Sequence, residues 1–211
     1  MTRTQFLDAA STAYGVLVAP EVAAKWEEPS VLAEFTVAGL AGHLVRATTS
    51  VEAYLDRYEP DDATITPAEY YGAAVGEATS DPSSSLNQAI RRRGEETAAA
   101  GHAGLVESFA ATLERLRGRL ADEREDRRVQ VYMGLVLTLD DYLVTRLIEL
   151  LVHTDDLAVS VGIETPEPFT AAADAAVDTL VAVARRRHGD LAVLRALTRR
   201  ERDPHNALRV L

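Results

Sequence analysis

Apolar residues recur every three or four positions along most of this chain, which is the spacing of one face of an α-helix. Phe6, Ala10, Ala13 and Leu17 share a side and predict a first helix over Thr4–Val18, ended by Pro20. A loop with Trp26 and Pro29-Ser30 follows. Thr36 is a good N-cap, and Phe35 before it can pack on Leu40. Val37, Leu40, Ala41, Leu44, Thr48, Val51 and Leu55 then form the stripe of a second helix, which stops before Pro60-Asp61-Asp62. Residues 60–85 are rich in loop formers, with Pro67 opening a short helix through Tyr70 and Tyr71 and a turn cluster over Ser80–Ser85. Helices are predicted over Leu86–Ala99 and Leu105–Leu120, with Gly101-His102-Ala103-Gly104 as the break between them. Asp122–Arg128 reads as an exposed charged turn, and Val129–Met133 as a short extended piece closed by Gly134. A long helix over Leu139–Ser160 is capped by Thr138 with Asp141 and stopped by Gly162. Beyond Pro166 and Pro168 the pattern predicts helices near Ala171–Arg187 and Leu191–Leu197, then a final strand over Ala207–Leu211.

Composition agrees with a mainly α fold, because Ala and Leu are abundant and aromatics make up only 6%. The net charge of −11 disfavours nucleic acid and anionic membrane surfaces as partners. The short runs Arg91-Arg92-Arg93, Arg185-Arg186-Arg187 and Arg199-Arg200 read as solvated helix faces. There is no cysteine, so any metal must be held by His and carboxylate groups, and any thiol chemistry must use a thiol brought by a cofactor. Met1–Leu17 carries Asp8 and lacks a basic-then-apolar signal layout, and no apolar run reaches the ~20 residues of a membrane span. The expectation is a cytoplasmic protein.

The helix over Leu139–Ser160 carries the chemistry. Leu139, Leu143, Leu147, Leu150 and Leu157 form one face, with Ile148 and Val152 flanking the other side. Between them runs a narrow polar stripe of Tyr142, Arg146, Glu149, His153 and Asp156. A narrow stripe edged by apolar residues points inward, where carboxylate and imidazole groups must be paired, hydrogen-bonded or metal-bound. Glu149 and His153 stand at i and i+4, close enough to share one ion. Arg146 and Asp156 are placed to orient them, with Tyr142 on the same stripe. Of the five histidines, His43 is the other one within a well-patterned helix, on its inward edge with Ala47 and Tyr54. His43, Glu149 and His153 would leave an open position, as catalytic metal sites do. The competing reading is a buried ion-pair network, Arg146–Glu149 and His153–Asp156. The pattern is not HExxH, the two Glu-x-x-His repeats of a di-iron bundle are missing, and there is no GxSxG, GxGxxG or P-loop.

Leu40-Ala41-Gly42-His43-Leu44 and the run from Arg146 through Glu149 and His153 to Ala158 resemble the two signatures of mycothiol-dependent maleylpyruvate isomerases, within the wider DinB-like group. Trp26 with Pro29-Ser30, and Arg91 and Arg93, are similar to further features of that family. The resemblance implies a DinB-like four-helix bundle in an up-down-down-up arrangement, here over residues 1–162, and the pattern of the remaining residues predicts a short helical appendage over 163–211, with one or two short strands in the chain. It implies a divalent metal, usually zinc, on His43, Glu149 and His153. About fifty residues follow Gly162, fewer than the fuller α/β C-terminal domain of the isomerases.

The implied activity is a mycothiol-using transferase or isomerase. The metal would lower the pKa of the cofactor's thiol, which then attacks an electrophilic carbon of a small substrate. Elimination after bond rotation would give an isomerase, and retention of the adduct a transferase. The alternatives are a metal-dependent hydrolase on the same three ligands, or a non-enzymatic helical module built on the ion-pair network. The expected partners are a small thiol and a small electrophile, and a homodimer is expected by likeness to related bundles.

Overall fold

Four long helices bury their apolar stripes against one another. The computed structural model describes residues 1–74, 84–167, 170–199, 201 and 205–210. Ser80–Ser83 of the turn cluster, Pro168, Arg200 and Leu211 lie outside the described residues. In chain order the helices are α1 (Thr2–Leu17), α2 (Pro20–Ala24), α3 (Val37–Leu55), α4 (Pro67–Ala74), α5 (Ser85–Ala98), α6 (Gly101–Asp122), α7 (Leu139–Val161), α8 (Thr170–His188), α9 (Asp190–Thr198) and α10 (His205–Leu208). Strands β1 (Arg128–Gln130) and β2 (Val136–Thr138) pair antiparallel, Val129 opposite Leu137. α1 packs on α7, α7 on α3, α3 on α6 and α6 on α1, which closes a ring of four. The core between them includes Phe6, Leu40, Leu44, Phe109, Leu116, Leu143, Leu147 and Leu150, all fully buried. Among the described residues no helix is long and apolar enough to cross a membrane.

The predicted helix ends rest on side-chain chemistry. The Thr36 hydroxyl accepts from the Gly39 amide at 3.0 Å. Thr138 accepts from the Asp141 amide at 3.1 Å and donates to the Asp141 carboxylate at 2.8 Å. Both satisfy amides that a helix start leaves unpaired. Gly162 takes φ 78, the left-handed conformation that ends a helix at little steric cost.

Outside the ring, α5 lies along α3. Two glycines set their distance: a Cβ on Gly42 would stand 2.0 Å from the Gly94 carbonyl oxygen, and one on Gly94 would stand 2.5 Å from the Gly39 carbonyl oxygen. α8 covers α4, α7 and part of α1, and α9 and α10 rest on α8.

The structure differs from the sequence pattern in several places. Pro20 ends α1 but also opens α2, at the first helical position where its missing N–H costs nothing. The break before α6 is over by Gly101, which alone takes a positive φ of 77, so His102–Gly104 are the first turn of α6. His102 Nε2 lies 2.8 Å from the Leu17 carbonyl oxygen, a contact that ties this turn to the end of α1. The charged run is not simply an exposed turn. Arg127 is buried, with its guanidinium 2.9 Å from Glu59 and 3.4 Å from Glu123, and it donates to the Leu55 carbonyl at 3.2 Å. The extended piece is the first arm of a hairpin turning through Tyr132–Gly134, with Met133 at φ 61. The expected final strand is replaced at Ala207 and Leu208 by α10. In the run Arg185–Arg187, Arg187 is no solvated residue: it donates to the carbonyls of Val210 at 2.6 Å and Tyr71 at 3.3 Å, tying the chain end and α4 to α8. Val152, expected to flank the polar stripe on an apolar side, is 38% exposed.

Candidate metal centre

The packing of α3 on α7 brings His43 against the polar stripe. Glu149 Oε2 lies 3.6 Å from His43 Nε2 and 3.4 Å from His153 Nε2, and each of the three side chains is a fifth or less exposed. The two imidazole rings stand 4.6 Å apart at 71°. One donor atom from each of the three residues lies within 4.8 Å of the others. Donor atoms about 2.0–2.1 Å from a tetrahedral zinc lie about 3.3 Å from one another, so these separations suit such an ion. Two neutral-capable imidazoles and one carboxylate are also the donor types that zinc accepts.

The residues around the trio orient it. His153 Nδ1 is 2.9 Å from Asp156 Oδ2, and this pairing turns Nε2 toward Glu149. Arg146 Nη2 stands 4.0 Å from Glu149 Oε1, and its guanidinium lies over the Tyr142 ring at 5.2 Å from the centroid. Tyr142 donates to Ser50 Oγ at 2.9 Å, and burial pushes its phenol above the ordinary value, which keeps it a neutral donor. Of the predicted stripe, Glu149 and His153 meet His43 directly, Asp156 and Arg146 stand behind those two, and Tyr142 packs under Arg146.

Electrostatics set the resting state. Burial lowers the His43 pKa, and its hydrogen bond to Glu149 does not fully offset this, so at neutral pH the ring keeps a free lone pair. Burial also disfavours charge on His153, but the hydrogen bonds to Asp156 and Glu149 outweigh it and raise its pKa to about 9. Burial opposes the Glu149 carboxylate too, yet both histidines and Arg146 hold it well below the usual carboxylate range. Replacing Asp156 with Asn would remove the anion behind His153. Zinc affinity is expected to fall about 10- to 100-fold, measured by competition with a chromogenic chelator.

A cavity of about 500 Å³ opens onto the trio, room for a small organic molecule. Its wall includes residues that sequence reasoning passed over: Arg46 and Ser50 from α3, Tyr70 and Tyr71 from α4, and Tyr132 from the hairpin turn. Arg46 and Ser50 could have been found, since they follow His43 at i+3 and i+7 on one helix face. The tyrosines could not, because their placement depends on how α4 and the hairpin fold back. Of the remaining histidines, His102 packs against Trp26 at 5.4 Å, and neither it nor His188 lines this cavity.

Neither a curated protein nor a solved structure gives a significant match to the chain. The family described as "Mycothiol maleylpyruvate isomerase N-terminal domain" matches residues 7–158, which takes in α3 and α6 whole, most of α1 and α7, His43 and the whole polar stripe. The match spans well over half the sequence and ends on the helix that carries Glu149 and His153, so the chain belongs to the mycothiol maleylpyruvate isomerase N-terminal domain family.

Proposed function

We propose that this protein is a metal-dependent, mycothiol-using S-transferase or cis–trans isomerase acting on a small electrophilic substrate. The observation that carries the reading is the convergence of His43, Glu149 and His153 at the wall of a cavity large enough for substrate, in a chain with no thiol of its own. A divalent cation there, zinc in this reading, supplies Lewis acidity that lowers the pKa of a thiol. Of the chain's own groups, His43 and His153 offer Nε2 and Glu149 a carboxylate oxygen, while Asp156 fixes the ring of His153. Tyr70 and Tyr71 wall the cavity, and Arg187 of α8 donates to the Tyr71 carbonyl, so the appendage over 163–211 acts as a brace for the bundle over 1–162. The reading also places the protein in the cytoplasm, with small molecules as its partners.

The test is to incubate the zinc-loaded protein with mycothiol and a panel of electrophilic alkenes, following thiol loss and product by mass spectrometry. Turnover that needs both mycothiol and zinc and is absent in His43→Ala supports the reading. Hydrolysis without any thiol would replace it with the hydrolase. One observation favours a non-enzymatic alternative: the 2.9 Å His153–Asp156 pair is complete without a metal. That reading requires that the protein take up no zinc.

A further inference from the structure

A second cavity, of about 260 Å³, lies where α8 joins the bundle, bounded by α1, α7 and the linker between α7 and α8. It shares no lining residue with the cavity over the metal trio. At about 100° per residue, Leu151, Thr154 and Asp155 project from the side of α7 opposite Glu149 and His153. Small side chains leave the gap open: Ala9 of α1 and Ala172 of α8 line it together with Leu151 and Pro166. Two hydrogen bonds fix its walls. Gln5 Nε2 donates to the Ala171 carbonyl at 3.1 Å, which holds the start of α8 on α1, and Thr165 donates to Asp155 at 2.6 Å, which folds the linker back on α7. Protein interiors contain few voids larger than a water molecule, and an apolar cavity of about 150 Å³ is enough to bind benzene.

The polar groups of the wall are acceptors with capacity to spare. Thr154 is only 5% exposed, yet its hydroxyl makes no hydrogen bond among the described residues. Other helical threonines, Thr12, Thr48 and Thr179 among them, donate to a carbonyl about one turn back. The Thr154 oxygen is not sealed inside the protein either, so it opens onto the cavity it lines. Asp155 accepts from Thr165 but has no cationic partner, and no Lys, Arg or His lines the cavity, among the described residues. An ionised carboxylate offers about four acceptor sites and a hydroxyl two.

We propose that this cavity binds a small primary amine. The ammonium group donates to Asp155 and Thr154, and the apolar body fills the space against Ala9, Leu151, Pro166 and Ala172. An ammonium carries donors and no acceptor, which matches a wall that offers acceptors. An anionic ligand would meet Asp155 as a like charge, in a chain whose net charge is already −11. The site uses none of the three metal-facing residues and does not rest on the thiol-transfer reading.

The experiment is calorimetric titration of the full-length protein with benzylamine and, separately, with benzyl alcohol and benzoate, at neutral pH and constant ionic strength. It is run on wild type, Asp155→Asn, Thr154→Val and Ala172→Leu, with melting temperatures and zinc uptake measured on the same samples. Benzylamine is expected to bind wild type at least about tenfold more tightly than either analogue, and to lose about tenfold in affinity in Asp155→Asn. Thr154→Val should weaken it severalfold, and Ala172→Leu, whose side chain would occupy the space, should abolish binding. Asp155 is exposed and an Asn there still accepts from Thr165, so Asp155→Asn decides the matter even if Ala172→Leu disturbs the fold. No binding of benzylamine, benzyl alcohol bound as tightly as benzylamine, or equal benzylamine binding by wild type and Asp155→Asn would each overturn the site. Zinc uptake should be the same in all four proteins, so failure of the metal reading would leave this result standing.

Discussion

Incubated with zinc and desalted, the protein is expected to retain close to one equivalent, and His43→Ala, Glu149→Ala and His153→Ala are each expected to lose it while their circular dichroism stays helical. Removing a residue that merely orients a ligand costs about 10- to 100-fold in affinity. Removing one of three ligands should cost more, enough to lose the ion on a desalting column. The helical signal should survive because the three side chains line a cavity, while the apolar face of α7 at Leu143, Leu147 and Leu150 is untouched. Plasma mass spectrometry on protein purified without a His-tag reads the result. Wild type without zinc would sink the metal reading and favour the ion-pair network.

Zinc affinity, read by chelator competition, should depend steeply on pH, with a predictable sign. In the metal-free protein His153 holds its proton up to about pH 9, and zinc must displace it. Apparent zinc affinity should therefore rise about tenfold per pH unit from neutral pH toward 9 and then level off. His43, lowered from its ordinary value, demands no such proton at neutral pH. Stability without metal follows from the same shifts. The raised pKa of His153 contributes stability that is whole below its ordinary value of 6.5 and lost as pH rises through about 9. The lowered pKa of Glu149 contributes in the opposite window, above its ordinary value of 4.5, and that contribution is lost as pH falls through the folded value. The metal-free melting temperature should drop between pH 7 and 9.5.

Gly42→Ala is expected to be the most damaging single-methyl change in the bundle, at about 3 kcal/mol or more. Its Cβ would meet the Gly94 carbonyl oxygen at 2.0 Å, and backbone cannot step aside as a flexible side chain can. α5 would have to move off α3, taking Arg93 out of the cavity and shifting the helix that carries His43. Urea denaturation measures the loss, and a midpoint unchanged from wild type would show that α5 does not sit against α3 as described. Gly15→Ala is the control, since a Cβ there meets nothing within 4 Å and helix propensity favours Ala.

How much of this protein is legible in its sequence follows from which interactions are local. The ring helices are written in a period of three and four residues, and their caps at Thr36, Thr138 and Gly162 involve partners within a few residues. The stripe from Tyr142 to Asp156 is legible for the same reason, because one helix sets its geometry, down to the His153–Asp156 pair at i and i+3. Gly42 and His43 are adjacent in a recognisable motif, but the motif does not say what the glycine is for. Only the tertiary structure decided that Gly42 meets Gly94, that α3 brings His43 to 3.6 Å from Glu149 on α7, and that Arg46 and Arg93 share one cavity. It also turned Arg127 and Arg187, each in a run that reads as solvent-facing, into cross-braces to Glu59 and Tyr71. Each of those contacts joins residues tens of positions apart. A periodic pattern records which face of a helix is buried, but not which other face it is buried against.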